Sequence, residues 1–494
     1  MQDPKSVGGK LAAPAETFDL VVVGAGAAGA AAAIEAGEAG RRVLLVDENP
    51  VASELVGLDV PLLYGGRMLG TSASKNRLLE RLVETNPGLE RAFDLGIDVR
   101  LGTYVWGAFV NGPALAALPA RLAGLANDER ASCVGFDKLV IAAGARDLVL
   151  NFRGSGLPGV VGAVAFDAML RRYDAFGGRR LVILGSGELA LAAADLARER
   201  GLEIAAVIEA APEPIAALPP NVALFTGHVI VRADGDASGV SAAVIAPLGS
   251  SAERRIACDT IVLAFGRVPN IELLDVLGAA VAFEPTRGGF APSGSLPATS
   301  LPNVFVAGDC AGLCPVADPE IAARQGRAAA RAALDPASGH GALNLPFVAP
   351  ALPPARDTYR YAAHWLSELR KSGGDEVLAC RCEEVSRADL LGIQPPRYLG
   401  ARSPCMEARD IATLARDGPL SQDHVKRLTR AGMGACQGRR CREQIALLLA
   451  AASNLAPREL PLPSYRAPVR PLPLARLAAA EVEEMRAGWD VWFG

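Results

Sequence analysis

The chain has 494 residues, half of them hydrophobic and 5% aromatic, enough apolar material to bury two or three separate cores. A formal net charge of -4, from 50 basic and 54 acidic side chains, leaves no positive excess for wrapping nucleic acid or an anionic membrane. Nine cysteines, an odd number in so long a chain, argue against a secreted disulfide framework and for reduced thiols or metal ligands.

The opening segment MQDPKSVGGKLAAPAETF lacks an apolar core of signal-peptide length, and no later stretch reaches the roughly 18 consecutive apolar residues that cross a bilayer. A cytoplasmic location is expected. FDLVVVGAGAAGAAAAIEAGEAGRRVLLVDE then reads as an apolar strand, a glycine turn, an alanine-rich helix and a second apolar strand ending in Asp47 and Glu48. Gly24 allows the tight turn, Gly26 lets the backbone approach a pyrophosphate, and Gly29 lets helix and strand pack closely. The diphosphate is expected at the helix N-terminus, where unpaired N–H groups and the helix dipole favour negative charge. Asp47 is placed to accept hydrogen bonds from the adenosine ribose, and Glu48 joins it as a candidate cofactor residue.

A second copy follows in RRLVILGSGELALAAADLARERGLEIAAVIEA, with Gly185 and Gly187, Ala190 in place of the third glycine, and Glu209 closing its second strand. Two such units predict two nucleotide-binding folds, one inserted in the other. This fold also persists in chains that no longer use its pocket. LVIAAGARD, carrying Gly144, TIVLAFGRVPN and LPNVFVAGDCAG are three further apolar strands ending in small-residue turns, where backbone can come close to a ligand. In this order they resemble the two-dinucleotide flavoprotein superfamily of glutathione reductase and the ferredoxin reductases. That resemblance implies that Asp309 hydrogen-bonds the flavin ribityl chain and that Gly308 lies beside the flavin diphosphate. The stretch VPLLYGGRMLGTSASKNRLLERLVETNP keeps Gly65 and Gly66 but lacks the glutamine of the PGGQ turn usual in these families. GTYVWGAFVNG holds an aromatic patch of Tyr104, Trp106 and Phe109, read as core packing in preference to a substrate- or interface-facing surface.

From about Pro336 the proline-rich LNLPFVAPALPPAR reads as a linker, followed by a helical stretch near DTYRYAAHWLSELRKS. Four cysteines then cluster: Cys380 and Cys382 are separated by one residue, Cys436 and Cys441 by four. Cys133, Cys258, Cys310, Cys314 and Cys405 are scattered and read as packing residues. Iron and zinc both accept tetrahedral thiolate coordination, so the residue types alone admit an iron–sulfur cluster, zinc or free thiols. The one-residue gap is short for a zinc knuckle. Cys436 and Cys441 follow GMG and open the helix-like run REQIALLLAAA, and Arg381, Arg439 and Arg440 can offset thiolate charge, which suits a two-iron, two-sulfur cluster.

CRCEEVS followed by VKRLTRAGMGACQGRRC resembles the bacterioferritin-associated-ferredoxin type of iron–sulfur domain, whose four cysteines hold one 2Fe-2S cluster. Placed behind a two-dinucleotide flavoprotein, it resembles the α subunits of heteromeric dehydrogenases acting on opines, D-hydroxyproline and glycine, the last forming cyanide. That resemblance covers about residues 18–475, including the APVRPLPL strap.

It implies a division of labour. A separate FAD-containing β subunit, in some assemblies with a small γ subunit, oxidises the amino acid or amine. FMN lies near the subunit interface, and the α subunit carries FAD or another adenine nucleotide, the cluster and the route to an acceptor. No catalytic side chain is expected in this chain, and its acceptor could draw it to the periphery of the inner membrane.

The expected fold class is α/β: two nested Rossmann-like domains of glutathione-reductase type plus a small helical 2Fe-2S domain. The expected parts are residues 18–150 and 276–335 for the FAD-binding domain, 151–275 for the inserted NAD(P)-type domain, 336–375 for the linker, 376–455 for the 2Fe-2S domain and 456–494 for the strap. The rival readings are a self-sufficient NAD(P)H-dependent flavin/iron–sulfur reductase and an iron–sulfur storage module. Disulfide reductase chemistry is disfavoured, since Cys133 is the only cysteine before Cys258. His228, His340, His364 and His424 share no metal-ligand spacing.

Overall fold

In the computed structural model, residues 13–50, 75–111, 118–314, 318–335, 357–400 and 409–476 are described. The YGGRM stretch, Cys405, His340, most of the proline-rich linker and the C-terminal GWDVWFG lie outside the described residues.

Alternation of apolar strands with an alanine-rich helix produces a sheet of seven strands in the order Asp98–Arg100, Val43–Val46, Thr17–Val23, Ala131–Ile141, Leu122–Ala126, Tyr104–Phe109, with Val304–Val306 also paired to Ala131–Ile141. Its central pairings are parallel, Val23 standing opposite both Val46 and Ile141, whereas Leu122–Ala126 runs antiparallel to both of its neighbours. Strands buried on both faces need helices on both sides, and the near-continuous apolar runs VLLV and LVVV reflect that. The helix Ala27–Glu38 packs against Pro319–Leu334 at Gly326, where a Cβ would stand 1.9 Å from the carbonyl oxygen of Ala28.

The inserted unit is a second sheet of five parallel strands, Leu224–Thr226, Glu203–Glu209, Arg180–Leu184, Thr260–Leu263 and Val160–Gly162. A three-stranded antiparallel sheet, His228–Asp236, Gly239–Pro247 and Arg254–Ala257, leans on it. The α/β class with Rossmann-like sheets is thereby established.

The helix Thr358–Gly373 buries Tyr359, Ala362, Trp365, Leu366 and Leu369 and leads to the cysteine-bearing region. There a short pairing of Leu378–Cys380 with Val385–Ser386 precedes the helices Arg387–Leu391, Ile411–Asp417, Gln422–Thr429 and Arg442–Ser453. The last of these is buried on all sides from Arg442 to Ala450 and meets solvent only in its final turn. One apolar core runs from Leu148, just before the inserted unit, and Val182 and Phe265 within it, through Trp365 to Cys441, Leu448 and Leu460.

The strap then crosses back to the first sheet. The Val469 N–H donates to the Trp106 carbonyl at 2.7 Å, and the Tyr465 N–H to the Asp275 carboxylate at 2.8 Å. No helix among the described residues is long and apolar enough to cross a membrane.

Candidate functional site

The first glycine turn sits between Thr17–Val23 and the helix Ala27–Glu38, and each glycine has its own reason to be one. Gly24 has φ +98°, and a Cβ there would meet the Ala142 carbonyl oxygen at 2.3 Å. On Gly29 a Cβ would lie 1.7 Å from the Gly24 carbonyl oxygen, so helix and turn touch. Around Gly26, at the helix N-cap, nothing lies within 4 Å of the corresponding position. Its open side is the cleft, and the first-turn N–H groups face the same way.

The cleft has a volume of about 420 Å³, and Gly24, Gly26, Asp47, Glu48 and Gly144 all line it. One Asp47 oxygen accepts from the Ala25 N–H at 2.6 Å, and the other accepts from both nitrogens of Asn49 at 2.8 Å. Asp47 therefore buttresses the glycine turn as well as facing the cleft. Glu48 pairs with Arg470 of the strap at 2.6 Å.

Five arginines, Arg146, Arg172, Arg439, Arg440 and Arg470, share the wall with the carboxylates of Asp47, Glu48, Asp147, Asp167 and Glu272, and Arg146 and Arg470 are paired with two of these. Asp147 also lines the cleft; burial pushes its carboxyl up to about 6 against the backbone N–H groups of Val164 and Ala165 and the charges of Arg267 and Arg440. Gly308 and Asp309 stand apart from this cleft. The Gly308 N–H donates to Gln325 at 2.9 Å, and Asp309 pairs with Arg267 at 2.6 Å.

The second turn keeps the same backbone logic: Gly185 has φ +107°, and a Cβ on it would lie 2.6 Å from the Ala264 carbonyl oxygen. Its carboxylate end is filled by the chain itself, while Gly187 stays half-buried. Ser186 and Glu209 have no exposure at all. Glu209 accepts from the Ser186 hydroxyl at 2.6 Å, the Tyr361 hydroxyl at 2.7 Å and the Ala211 N–H at 2.8 Å. The Ser186 N–H donates to the Tyr361 oxygen at 3.2 Å, and Ile215 stands over Gly187. Tyr361 thus takes the contacts that a ribose hydroxyl makes in this fold. Nothing in the spacing around Tyr361 marks it; only the fold of Thr358–Gly373 brings it there.

Cys380, Cys382, Cys436 and Cys441 converge. Three are buried and Cys382 is half-buried. They meet as two hydrogen-bonded thiol pairs, Cys380 with Cys441 and Cys382 with Cys436. The Cys436 thiol, with its backbone N–H and Arg440 adding to the effect, brings Cys382 down to about 6 against its burial. Cys441 likewise holds Cys380 below its ordinary value, while Cys436 and Cys441, as the donors, go up.

The Gly432 N–H points at the Cys380 sulfur at 3.4 Å, and a Cβ on Gly434 would lie 2.3 Å from that of Cys382. Among the described residues no three His, Cys, Asp or Glu side chains converge on a single metal-ion position. The four sulfurs therefore stand as two adjacent pairs at the start of the helix Arg442–Ser453 and beside the Leu378–Cys380 strand. Of the scattered cysteines, Cys258 and Cys310 are buried as packing residues, whereas Cys133, near the start of the paired strand Ala131–Ile141, is exposed and does not pack in the core.

Beside the pairs lies a buried charge cluster that the sequence does not announce. Arg146 reaches Glu272 and Glu443 at 2.8 Å each and donates to the Arg439 carbonyl at 2.7 Å. Arg442 pairs with Glu443 at 2.7 Å and donates to the Tyr465 hydroxyl. Burial would raise the Glu272 carboxyl, but Arg146, Arg442 and Arg439 hold it below its usual value. The Arg381 guanidinium donates to the carbonyls of Ser155 and Gly156.

Residues 18–335 match the pyridine nucleotide-disulphide oxidoreductase family, and residues 405–481 match the sarcosine oxidase A3 domain. An opine oxidase subunit of Agrobacterium tumefaciens (strain Ach5) is 25% identical over 94% of this chain and 92% of its own length. The HcnB subunit of hydrogen cyanide synthase from Pseudomonas protegens is 27% identical over 86% of this chain and 90% of its own. The alpha subunit of sarcosine oxidase from Corynebacterium sp. (strain P-1) is 27% identical over 93% of this chain but 45% of its own. Among solved structures, L-proline dehydrogenase from P. horikoshii shares the fold, with a TM-score of 0.61 and 18% identity over 93% of this chain and 79% of that one.

Proposed function

The chain belongs to the pyridine nucleotide-disulphide oxidoreductase family and is a flavin-dependent oxidoreductase, and from that premise we propose that it is the electron-transferring α subunit of a heteromeric amine or amino-acid dehydrogenase. The substrate is oxidised on a partner β subunit with its own FAD. In this chain FAD or another adenine nucleotide occupies the first cleft on Gly24, Gly26, Gly29, Asp47, Glu48 and Gly144, with Gly308 and Asp309 toward the flavin end. Cys380, Cys382, Cys436 and Cys441 hold a 2Fe-2S cluster, and FMN lies at the subunit interface.

The observation that carries this reading is that the loop between Cys436 and Cys441 supplies Arg439 and Arg440 to the wall of the cleft. A redox group on these cysteines lies beside the nucleotide, within one continuous protein interior. A two-iron cluster supplies one-electron transfer when bound. The chain's own residues do the rest. The Gly432 N–H and the arginines offset thiolate charge, Asp47 fixes the turn that receives a diphosphate, and burial of Cys380, Cys436 and Cys441 keeps water away.

The closed second turn weighs against the rival reductase: with Glu209 saturated by Ser186, Tyr361 and Ala211, Gly185 and Gly187 serve as structural glycines and no nicotinamide enters there. Anaerobic titration with NADH and NADPH, following the flavin and iron–sulfur absorbance together, tests the reading. Bands that persist at stoichiometric nicotinamide and bleach with an amine or amino acid once the partner protein is present support it. Bleaching by nicotinamide alone replaces it with the reductase.

A further inference from the structure

The loop that joins Cys436 to Cys441 faces two ways. Gln437 and Gly438 both take positive φ, 53° and 77°, which reverses the chain and turns the arginines that follow toward the cleft. Arg439 is committed locally: its guanidinium donates to the Val469 carbonyl at 2.7 Å, and its own carbonyl accepts from Arg146. Arg440 reaches in both directions. It stands next to Cys441 in the chain, its backbone N–H bonds to Cys436, and its side chain lines the cleft with Gly24, Gly26 and Asp147.

We propose that Arg440 is a positioning residue that couples occupancy of the cleft by a phosphate-bearing nucleotide to the reduction potential of the cluster on Cys380, Cys382, Cys436 and Cys441. The inference rests on the function proposed above. A guanidinium in a poorly screened interior stabilises added negative charge on its cysteine side. A phosphate on its other side neutralises part of that field, so uptake of one electron by the cluster becomes less favourable when the cleft is filled. Linkage makes the effect reciprocal: reducing the cluster weakens nucleotide binding by the same factor.

The test uses the heteromeric holoenzyme with wild-type chain, Arg440→Gln and Arg440→Lys. The midpoint of the cluster is measured by EPR-monitored titration with dithionite as reductant, before and after the nucleotide is stripped and restored. Nucleotide affinity is measured from the amount retained and released on acid precipitation. In the wild type, filling the cleft is expected to shift the midpoint to lower potential. Arg440→Gln should weaken nucleotide binding about tenfold, as loss of one charged hydrogen bond does, lower the midpoint of the empty form and abolish the shift. Arg440→Lys, which keeps the charge, should restore the shift.

A wild-type midpoint that is the same with the cleft filled and empty overturns the proposal, and it does so even if Arg440→Gln fails to assemble its cluster. A variant that loses nucleotide while its midpoint stays at the wild-type value overturns it as well. Wild-type protein with no reduced-cluster EPR signal brings down the functional reading and this inference together, which separates that failure from the other two.

Discussion

Tyr361 and Glu209 lie 152 residues apart, and that separation is why the closed second site is illegible in the sequence. The glycine spacing and the acid at the strand end are visible, but the residue that occupies their pocket arrives from a helix beyond the linker. Tyr361→Phe removes one donor from a carboxylate with no exposure to water, and the expected cost is about 1.5–3 kcal/mol. Denaturant unfolding measures it, and an unchanged midpoint would show that water replaces the hydroxyl.

Asp147 supplies a prediction with a definite sign. Its carboxyl is raised from 3.8 to about 6, so the folded chain holds the proton more tightly than the unfolded one, and stability falls as pH rises through about 4 to 6. Relative to Asp147→Asn, the wild type should lose about 3 kcal/mol across that window. Parallel unfolding curves for the two proteins at pH 4, 5, 6 and 7 check this; a constant difference between them would contradict it.

At the scale of elements, the first strand–turn–helix unit was largely legible because part of its demand is local, Gly29 meeting the Gly24 carbonyl within the turn, although the Ala142 carbonyl that crowds Gly24 comes from just past the end of the distant strand Ala131–Ile141. Gly29, tightly packed, and Gly26, open, make opposite predictions. Gly29→Ala forces a Cβ to within 1.7 Å of a backbone oxygen that has no room to yield, so about 1–3 kcal/mol of stability should be lost. Gly26→Ala has φ -67° and open space around it, so its stability should stay within about 0.5 kcal/mol of wild type. Its methyl group projects where a diphosphate approaches, so nucleotide retention should weaken about tenfold. Thermal melts and nucleotide content, measured on both variants, separate packing from binding; Gly26→Ala with full nucleotide content would remove the pyrophosphate from this turn. Asp47 was legible as a cleft residue, but its grip on Ala25 and Asn49 was not, since only the folded turn brings those N–H groups to it.

At the scale of the whole molecule, composition and linkers divide the chain into parts, yet the parts share an interior. Apolar continuity from Leu148 through Trp365 to Leu448 cannot be read from strand and helix periodicity, because periodicity says which face is buried and not against what. Arg146 is the polar counterpart of that continuity. It follows the Gly144 turn, pairs with Glu272 where the chain returns from the inserted unit, and pairs with Glu443 at the start of the last cysteine-region helix.

Arg146→Met keeps an unbranched apolar stem but leaves two buried carboxylates with Arg442 as their remaining close ion-pair partner among the described residues. Breaking a buried pair from one side costs about 3–5 kcal/mol, because the abandoned charge keeps its desolvation penalty. Since Arg146 ties three segments, its loss should also divide the unfolding: far-UV circular dichroism and the absorbance of the bound groups, which in the wild type are expected to change at one denaturant concentration, should separate, with the cysteine region opening first. Coincident transitions in Arg146→Met would mean that the apolar core alone enforces cooperativity, and the charge cluster would then be a feature of the cleft rather than of the assembly.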